Sequence, residues 1–261
     1  MAEYNHVYQR ATYYDIVFKR DVSPEIDFIT NLYMECTGRS PSALLDLACG
    51  PGYHARTFAK RGGRAIGLDL RKEMTDFADE QARAEGVNVT WLAADMRYFQ
   101  LEEPVDIILN MFDGIDCLNT NADLIAHFKA VAQNLTPGGL YMVDVTHPAD
   151  VSYGHYGEFT YSGERDGVSV EIVWATNKPY IHPLTGVSTT QIEMRINDHG
   201  KQIVIEDCSH ERFLSAQEIH LLAELSGGLR VIDFYGDFNQ NQPLDNSPNS
   251  RRMVGILQKL G

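Results

Sequence analysis

Leu44-Leu45-Asp46-Leu47-Ala48-Cys49-Gly50-Pro51-Gly52 is the stretch that decides how the rest of the chain is read. An apolar run that ends in an acid and then two glycines is a buried strand entering a tight turn where backbone meets a ligand. Glycine suits that turn because it tolerates positive φ and has no side chain to keep the ligand away. Asp69 and Asp95 follow at the spacing expected if each closes the next strand of one parallel sheet. Three acids on neighbouring strand ends, all facing one crevice, make a nucleoside-binding edge.

Outward from this stretch the chain alternates helices and strands. Ser23-Pro24 opens a helix whose face Ile26, Ile29, Tyr33 and Cys36 share, and Gly38 ends it. Strands are expected over Ala43–Leu47, Ala65–Leu70, Val87–Leu92, Val105–Met111 and Leu140–Val145, with helices over Tyr53–Arg61, Lys72–Glu85 and Asn121–Leu135 between them. Pro137-Gly138-Gly139 reads as the turn into the fifth strand. Continuous apolar strands joined by helices specify a parallel sheet covered on both faces. After His147-Pro148 the pattern changes: Phe159 to Phe213 alternates apolar and polar residues, with hairpin signals at Asp166-Gly167 and Asn197-Asp198-His199-Gly200. Val168–Thr176 and Val187–Arg195 are half-exposed antiparallel strands in this reading. Ser215-Ala216-Gln217-Glu218 is a capping box, and strands Leu229–Tyr235 and Met253–Leu260 close the chain around a polar loop. The expected fold is α/β: a doubly wound, Rossmann-like core over 1–148 and 215–261, with an antiparallel β insertion over 149–214 as acceptor lid or dimerisation element.

The net charge of −14 repels phosphate backbones, so nucleic acid is disfavoured and a small or cationic partner favoured. No apolar run is long enough to span a membrane, and Met1 to His6 lacks the features of a secretory signal. Cys36, Cys49, Cys117 and Cys208 form no CxxC pair, which fits reduced thiols in a cytoplasm rather than disulfides or a metal site.

Two nucleoside cofactors suit the edge. Gly50-x-Gly52-x-x-Ala55 with Asp69 fits a dinucleotide fingerprint, as in an NAD-dependent oxidoreductase. Two details oppose it. Asp46 stands just ahead of the turn, where it repels a diphosphate and attracts a cation, and Asp95 adds a third anchor suited to an adenine amino group.

Through Asp46-Leu47-Ala48-Cys49-Gly50-Pro51-Gly52, Gly67-Leu68-Asp69-Leu70 and Ala94-Asp95-Met96, the chain resembles the class I S-adenosylmethionine-dependent methyltransferases. The resemblance covers the order of elements from Pro24 to Leu260 and implies a seven-stranded sheet whose last strand runs antiparallel beside the fifth. It implies that the Ala48 and Gly50 backbone, with Gly52, meets the methionine ammonium and that Asp46 supports it electrostatically. Asp69, with Leu70, would hold the ribose. Asp95 would take the adenine amino group and the Met96 backbone the ring edge, with Asn110 at the end of the fourth strand beside them. Tyr14, in Tyr13-Tyr14-Asp15, resembles an element that small-molecule members fold over the cofactor.

Methyl transfer needs alignment, exclusion of water and, for an amine, an acceptor that arrives neutral. His147, just past the fifth strand, and Asp113, past the fourth, are the candidate catalytic groups. Each has a plainer reading, as a loop histidine before proline and as a loop cap. Tyr153, Tyr156 and Trp174 are candidates for an acceptor pocket or simple packing, and Arg251 and Arg252 are expected in solvent, with a turn towards the cleft as the alternative. Asn110-Met111-Phe112 lacks the Pro-Pro-aromatic element of base N-methylation, and no acid/His cluster suggests a metal. The expected function is methyl transfer to an amine or hydroxyl of a small molecule, with a possible homodimer. A peptide or protein N-methyltransferase and a non-catalytic cofactor-binding module are the alternatives.

Overall fold

The structure is a computed structural model that describes residues 6–152 and 154–261. In chain order it contains α1 (Ala11–Phe18), α2 (Ser23–Thr37), β1 (Ala43–Leu47), α3 (Tyr53–Lys60), β2 (Arg64–Asp69), α4 (Lys72–Ala84), β3 (Val89–Ala93) and β4 (Val105–Asn110). There follow α5 (Asn121–Asn134), β5 (Leu135–Thr146), β6 (Val151–Ser152), β7 (His155–Tyr156), β8 (Phe159–Arg165), β9 (Val168–Trp174), β10 (Val187–Asp198) and β11 (Lys201–Arg212). The chain closes with α6 (Ala216–Ser226), β12 (Leu229–Tyr235) and β13 (Arg252–Lys259).

The core is a seven-stranded sheet in the order β12-β13-β5-β4-β1-β2-β3. β1, β2, β3, β4 and β5 run parallel, whereas β13 pairs antiparallel with both β5 and β12. Every residue of β1 and β4 is buried, as their continuous apolar runs require. One face packs Leu45, Leu47, Ile108 and Val143 against Phe128 and Val131 of α5 and Ile219 of α6. The other packs Leu44, Ile107, Leu109 and Met142 against Ile26, Ile29 and Tyr33 of α2 and Phe58 of α3. Helix ends follow their sequence signals. Gly38 takes a left-handed φ of 71° and returns its N–H to Met34, and Ser215 and Glu218 cap α6 reciprocally.

Most boundaries shift by one to three residues from the sequence reading, and two of the differences have a clear physical reason. β3 covers Val89–Ala93 rather than Val87–Leu92, because the Val87 N–H closes the end of α4 on the Ala82 carbonyl. β5 starts at Leu135, so Pro137-Gly138-Gly139 lies inside a strand and not in a turn. Leu135 pairs with Val105 and Leu140 with Ile107, so the extra residues bulge out of the ladder.

The insertion forms a four-stranded antiparallel sheet in the order β11-β10-β9-β8. Its turns have the left-handed φ pair expected of two-residue hairpins: 52° and 79° at Asp166-Gly167, 49° and 91° at His199-Gly200. α1 lies across its inner face, where Tyr13, Tyr14, Ile16, Val17 and Phe18 pack on Val170, Ile172, Ile192, Met194 and Ile196. Val7 N–H donates to Asp207 Oδ2 (3.0 Å) and Tyr13 Oη to Asp198 Oδ2 (2.9 Å). The N-terminal segment is thus a third layer of the insertion. No helix among the described residues is long and apolar enough to cross a membrane.

Candidate active site

The carboxyl ends of β1, β2 and β4 open beneath α1 and the inserted sheet. After β1 the backbone turns through left-handed residues at Ala48 (φ 52°), Gly50 (50°) and Gly52 (75°). Gly50 donates its N–H to Asp69 Oδ2 (2.9 Å), and Arg71 N–H binds Oδ1 (2.8 Å), so the two strand ends are clamped together. A side chain at Gly50 would meet nothing within 4 Å, so this loop borders open space, while one at Gly52 would strike the Trp91 ring. Burial raises the Asp69 carboxyl, with the Arg71 and Gly50 N–H groups acting against it. Asp46 is only 1% exposed, and its Oδ2 has no hydrogen-bond partner. Burial pushes its carboxyl up to about 7. Leu70 is 65% exposed next to Asp69 and leaves an apolar surface there.

On the far side, Asn110 is fully buried with Oδ1 unpaired, and its Nδ2 faces Met96 Sδ at 3.4 Å. A Cβ on Gly114 would stand 2.9 Å from Asn110 Oδ1 and 3.0 Å from Ala48 Cβ, so the absence of a side chain lets three segments converge. A buried carboxylate and a buried amide oxygen left without donors, beside a glycine-lined opening, are what a cationic, hydrogen-bonding nucleoside cofactor would fit.

Asp95 sits differently from the expectation. Its carboxylate is held by Arg97, from Nε at 3.0 Å to both oxygens and from a terminal nitrogen at 2.6 Å, and this pairing holds it below the usual range. Arg97 also reaches Asp123 at 2.6 Å. The Met96 carbonyl is bound to His127 Nδ1 (3.0 Å), whose other nitrogen meets Tyr141 Oη (2.9 Å).

Aromatic rings roof the crevice. Tyr14 stacks on Phe18 with centroids 4.4 Å apart, Phe18 meets Tyr161 at 5.1 Å and Phe112 at 5.6 Å, and Tyr8 links Tyr14 (5.7 Å) to Trp174 (6.3 Å). Tyr14 and Tyr8 both sense the charge of Asp69, and Tyr8 also that of Glu211, so these rings lie between the cofactor edge and the lid. The roof is latched. Asp15, 1% exposed, accepts from Tyr53 Oη of α3 (2.9 Å) and from Arg165 of β8 (2.6 Å). Tyr153 lies outside the described residues, as does the side chain of Tyr156.

Carboxylates line the space under this roof. Glu211 accepts from Trp174 Nε1 (2.8 Å) and Thr190 Oγ1 (3.2 Å), and burial raises it. Asp116 is 5% exposed with Oδ1 unpaired; burial and then the charges of Asp113 and Glu211 hold it well above the usual range. Arg252, expected in solvent, is instead 22% exposed and bridges Asp144 (2.7 Å) and Asp113 (2.8 Å). Arg251 does face solvent, at 76%. Asp113 spends its other oxygen on Thr146, at N (2.5 Å) and Oγ1 (2.9 Å), which makes it a brace between β4 and β5. His147 has both ring nitrogens engaged. Nε2 meets the Asp245 carbonyl (2.9 Å) and Ser250 Oγ (3.0 Å), while Nδ1 accepts from Ala149 N–H (2.9 Å). It ties the loop after β12 to the end of β5. Glu211, Arg252 and Arg165 are the residues that sequence reasoning missed, since each acquires its partners only through the tertiary fold.

Comparison with known proteins places these observations. A family model described as "Methyltransferase domain" matches residues 44–139. The dTDP-3-amino-3,4,6-trideoxy-alpha-D-glucopyranose N,N-dimethyltransferase of Streptomyces venezuelae is 32% identical over 137 residues, 51% of this chain and 56% of that protein. The ubiquinone biosynthesis O-methyltransferase of Agrobacterium fabrum is 31% identical over 44% of this chain and 48% of its own. The chain thus spans about half the length of the curated relatives it matches. Among solved structures, an S-adenosylmethionine-dependent methyltransferase from Clostridium acetobutylicum superposes with a TM-score of 0.78 at 20% identity, covering 98% of this chain and 97% of that one. DesVI of Streptomyces venezuelae gives 0.75 at 24% identity over 99% and 100%. The matched segment holds both the Gly50 turn and Asp69, and the whole chain, reversed last strand included, shares the fold of solved S-adenosylmethionine-dependent methyltransferases: residues 44–139 are a methyltransferase domain by resemblance to that family model.

Proposed function

We propose that this chain transfers a methyl group from S-adenosylmethionine to the amine of a small molecule. The observation that carries the choice of acceptor is the cluster of buried acids between cofactor edge and lid, where Glu211 and the unpaired Asp116 sense the charge of Asp113. When bound, S-adenosylmethionine supplies an electrophilic methyl on a sulfonium. Asp46 faces its ammonium through the Ala48–Gly50 turn, Asp69 holds the ribose hydroxyls, and exposed Leu70 with Met96 and Asn110 borders the adenine and methionine ends. Asp95, tied to Arg97, acts in this reading through the rigidity it gives the Asp95-Met96 turn. Tyr14, Phe18, Phe112 and Tyr161 exclude water above the reacting centre.

The acids attract an ammonium and take its proton, which leaves the nitrogen lone pair free to attack in line. A hydroxyl acceptor would find a base in them but no attraction of charge. The names of the S. venezuelae dimethyltransferase and of two further sugar-amine N,N-dimethyltransferases among the relatives support the same reading. The outer face of the inserted sheet carries Glu164, Glu171, Glu193 and Arg195, so the sheet is read as a lid rather than as a homodimer interface. The four free thiols support a cytoplasmic setting.

The test is transfer of labelled methyl from S-adenosylmethionine to amines, each assayed beside the hydroxyl compound of the same skeleton. Transfer to amines, with the acceptor KM raised about tenfold or more in Glu211→Gln and cofactor affinity unchanged, is expected. Transfer confined to the hydroxyl compounds would refute the reading.

A further inference from the structure

Behind the Ala48–Gly50 turn, three buried side chains turn unpaired atoms toward one another. His54 of α3 is 7% exposed, Glu25 of α2 3% and Asp46 of β1 1%. His54 Nδ1 stands 3.9 Å from Asp46 Oδ2, and Nε2 3.7 Å from Glu25 Oε2. Asp46 Oδ2, His54 Nε2 and Glu25 Oε2 all lack a hydrogen-bond partner. The other Glu25 oxygen is held by Arg20. A buried polar atom left unpaired costs about 1–3 kcal/mol, so the chain of three is poised to close by small movements.

Counting protons decides how it closes. A neutral imidazole has one N–H and one lone pair. Burial and the Arg20 charge hold His54 neutral down to about pH 3. It therefore satisfies both flanking carboxyls only when one of them carries a proton and the other does not. In one arrangement Asp46 is protonated and donates to Nδ1, while Nε2–H donates to the Glu25 carboxylate. In the other, Glu25 carries the proton and donates to Nε2, while Nδ1–H donates to the Asp46 carboxylate. The charges facing the group set the resting state. Burial raises the Glu25 carboxyl, but Arg20 on its other oxygen opposes that rise, with the more distant Asp144 adding to it, whereas no cation touches Asp46. Burial and Asp69 keep Asp46 protonated up to about pH 7, against the Ala55 N–H beside it. The first arrangement is the resting one.

We propose that Glu25, His54 and Asp46 form a buried proton relay through which a cation bound at the Ala48–Gly50 turn draws the negative charge from Glu25 to Asp46. The Asp46 proton passes to His54 Nδ1 and the Nε2 proton passes to Glu25 Oε2. No proton enters or leaves the protein, and no heavy-atom bond changes. Asp46 becomes a full carboxylate facing the ligand without a second charge being added to the core. Glu25 and His54 are positioning residues that act through Asp46. The inference rests on the cofactor reading above, with the S-adenosylmethionine ammonium as the cation.

The experiment uses the full chain labelled with ¹⁵N-histidine. NMR reads the His54 tautomer before and after S-adenosylmethionine is added. Calorimetry in two buffers of different ionisation enthalpy, at pH 6 and pH 8, counts protons exchanged on binding. The relay predicts a change from the Nε2–H to the Nδ1–H form, close to zero protons exchanged, and affinity constant within about twofold. In Glu25→Gln the amide accepts no proton, so Asp46 must release its own to solvent. Release then approaches one proton at pH 6, and binding is about tenfold weaker at pH 6 than at pH 8. Binding with an unchanged tautomer, or with about one proton released by the wild-type chain at pH 6, overturns the relay while the cofactor site stands. Absence of any binding overturns the cofactor reading and the relay together.

Discussion

Replacing Arg252 with methionine isolates the one cation that neutralises the carboxylates beneath the lid. The guanidinium donates from Nε to Asp144 Oδ1 (2.7 Å) and from a terminal nitrogen to Asp113 Oδ2 (2.8 Å). Its side chain is 22% exposed, against 3% for Asp144 and 27% for Asp113. Removing one partner of a fully buried pair costs about 3–5 kcal/mol, because the other charge is stranded. The water still reaching Arg252 and Asp113 places this case at the lower end, about 3 kcal/mol. With a urea dependence of about 3 kcal/mol per molar for a chain of this size, the unfolding midpoint should fall by about 1 M.

The loss should also depend on pH. Burial already raises the Asp144 carboxyl and Arg252 opposes that rise, so its removal raises the carboxyl further. A carboxyl whose folded pKa lies above its unfolded value of about 3.9 contributes stability that is present below that value and lost as pH rises through the folded one. The deficit of Arg252→Met relative to wild type must therefore grow between pH 5 and pH 8. Urea unfolding at both pH values checks this. A deficit below about 1 kcal/mol, or one equal at both pH values, would refute the assignment of Arg252 as the neutralising partner.

Other perturbations probe the lid, the crevice and the loop tie. Asp15→Asn removes the charge that Arg165 and Tyr53 share, so the inserted sheet should be cleaved faster in limited proteolysis, with a stability loss of about 1–2 kcal/mol; an unchanged cleavage pattern would show that the latch does not hold the lid. Gly114→Ala forces Asn110 and Ala48 apart and should weaken S-adenosylmethionine binding about tenfold while the far-ultraviolet dichroism is unchanged. His147→Gln should lower the melting temperature yet leave kcat within about threefold, because both ring nitrogens are already bound. Loss of the acidic limb from its pH–rate profile would return His147 to a catalytic role.

The parallel core was legible because local pattern and tertiary role coincide there. β1 and β4 are apolar runs that end at Leu47 and Asn110, and burial on both faces is the only use for such runs. Asp46 and Asp69 were legible for the same reason, since an acid next to a strand end and a glycine turn has few other uses. Pro137-Gly138-Gly139 misled because a bulge can hold residues that usually mark a turn. Partners distant in sequence left no local trace: Asp15 and Arg165 are 150 residues apart, and Arg252 and Asp144 108. Arg252 opens β13 and reaches Asp144 across the sheet, whereas Arg251, one residue before the strand, stays exposed. His147 was singled out by position, but its role is set by Asp245 and Ser250, across a loop whose path the sequence does not reveal.

Calorimetric titration with S-adenosylmethionine, and separately with NAD and NADH, of the wild-type chain and of Asp69→Ala is the most direct measurement. The account predicts micromolar binding of S-adenosylmethionine, no binding of either dinucleotide, and a loss of about a hundredfold in the variant, the value of two hydrogen bonds to a charged group. Dinucleotide binding, or S-adenosylmethionine affinity that is indifferent to Asp69, would contradict it.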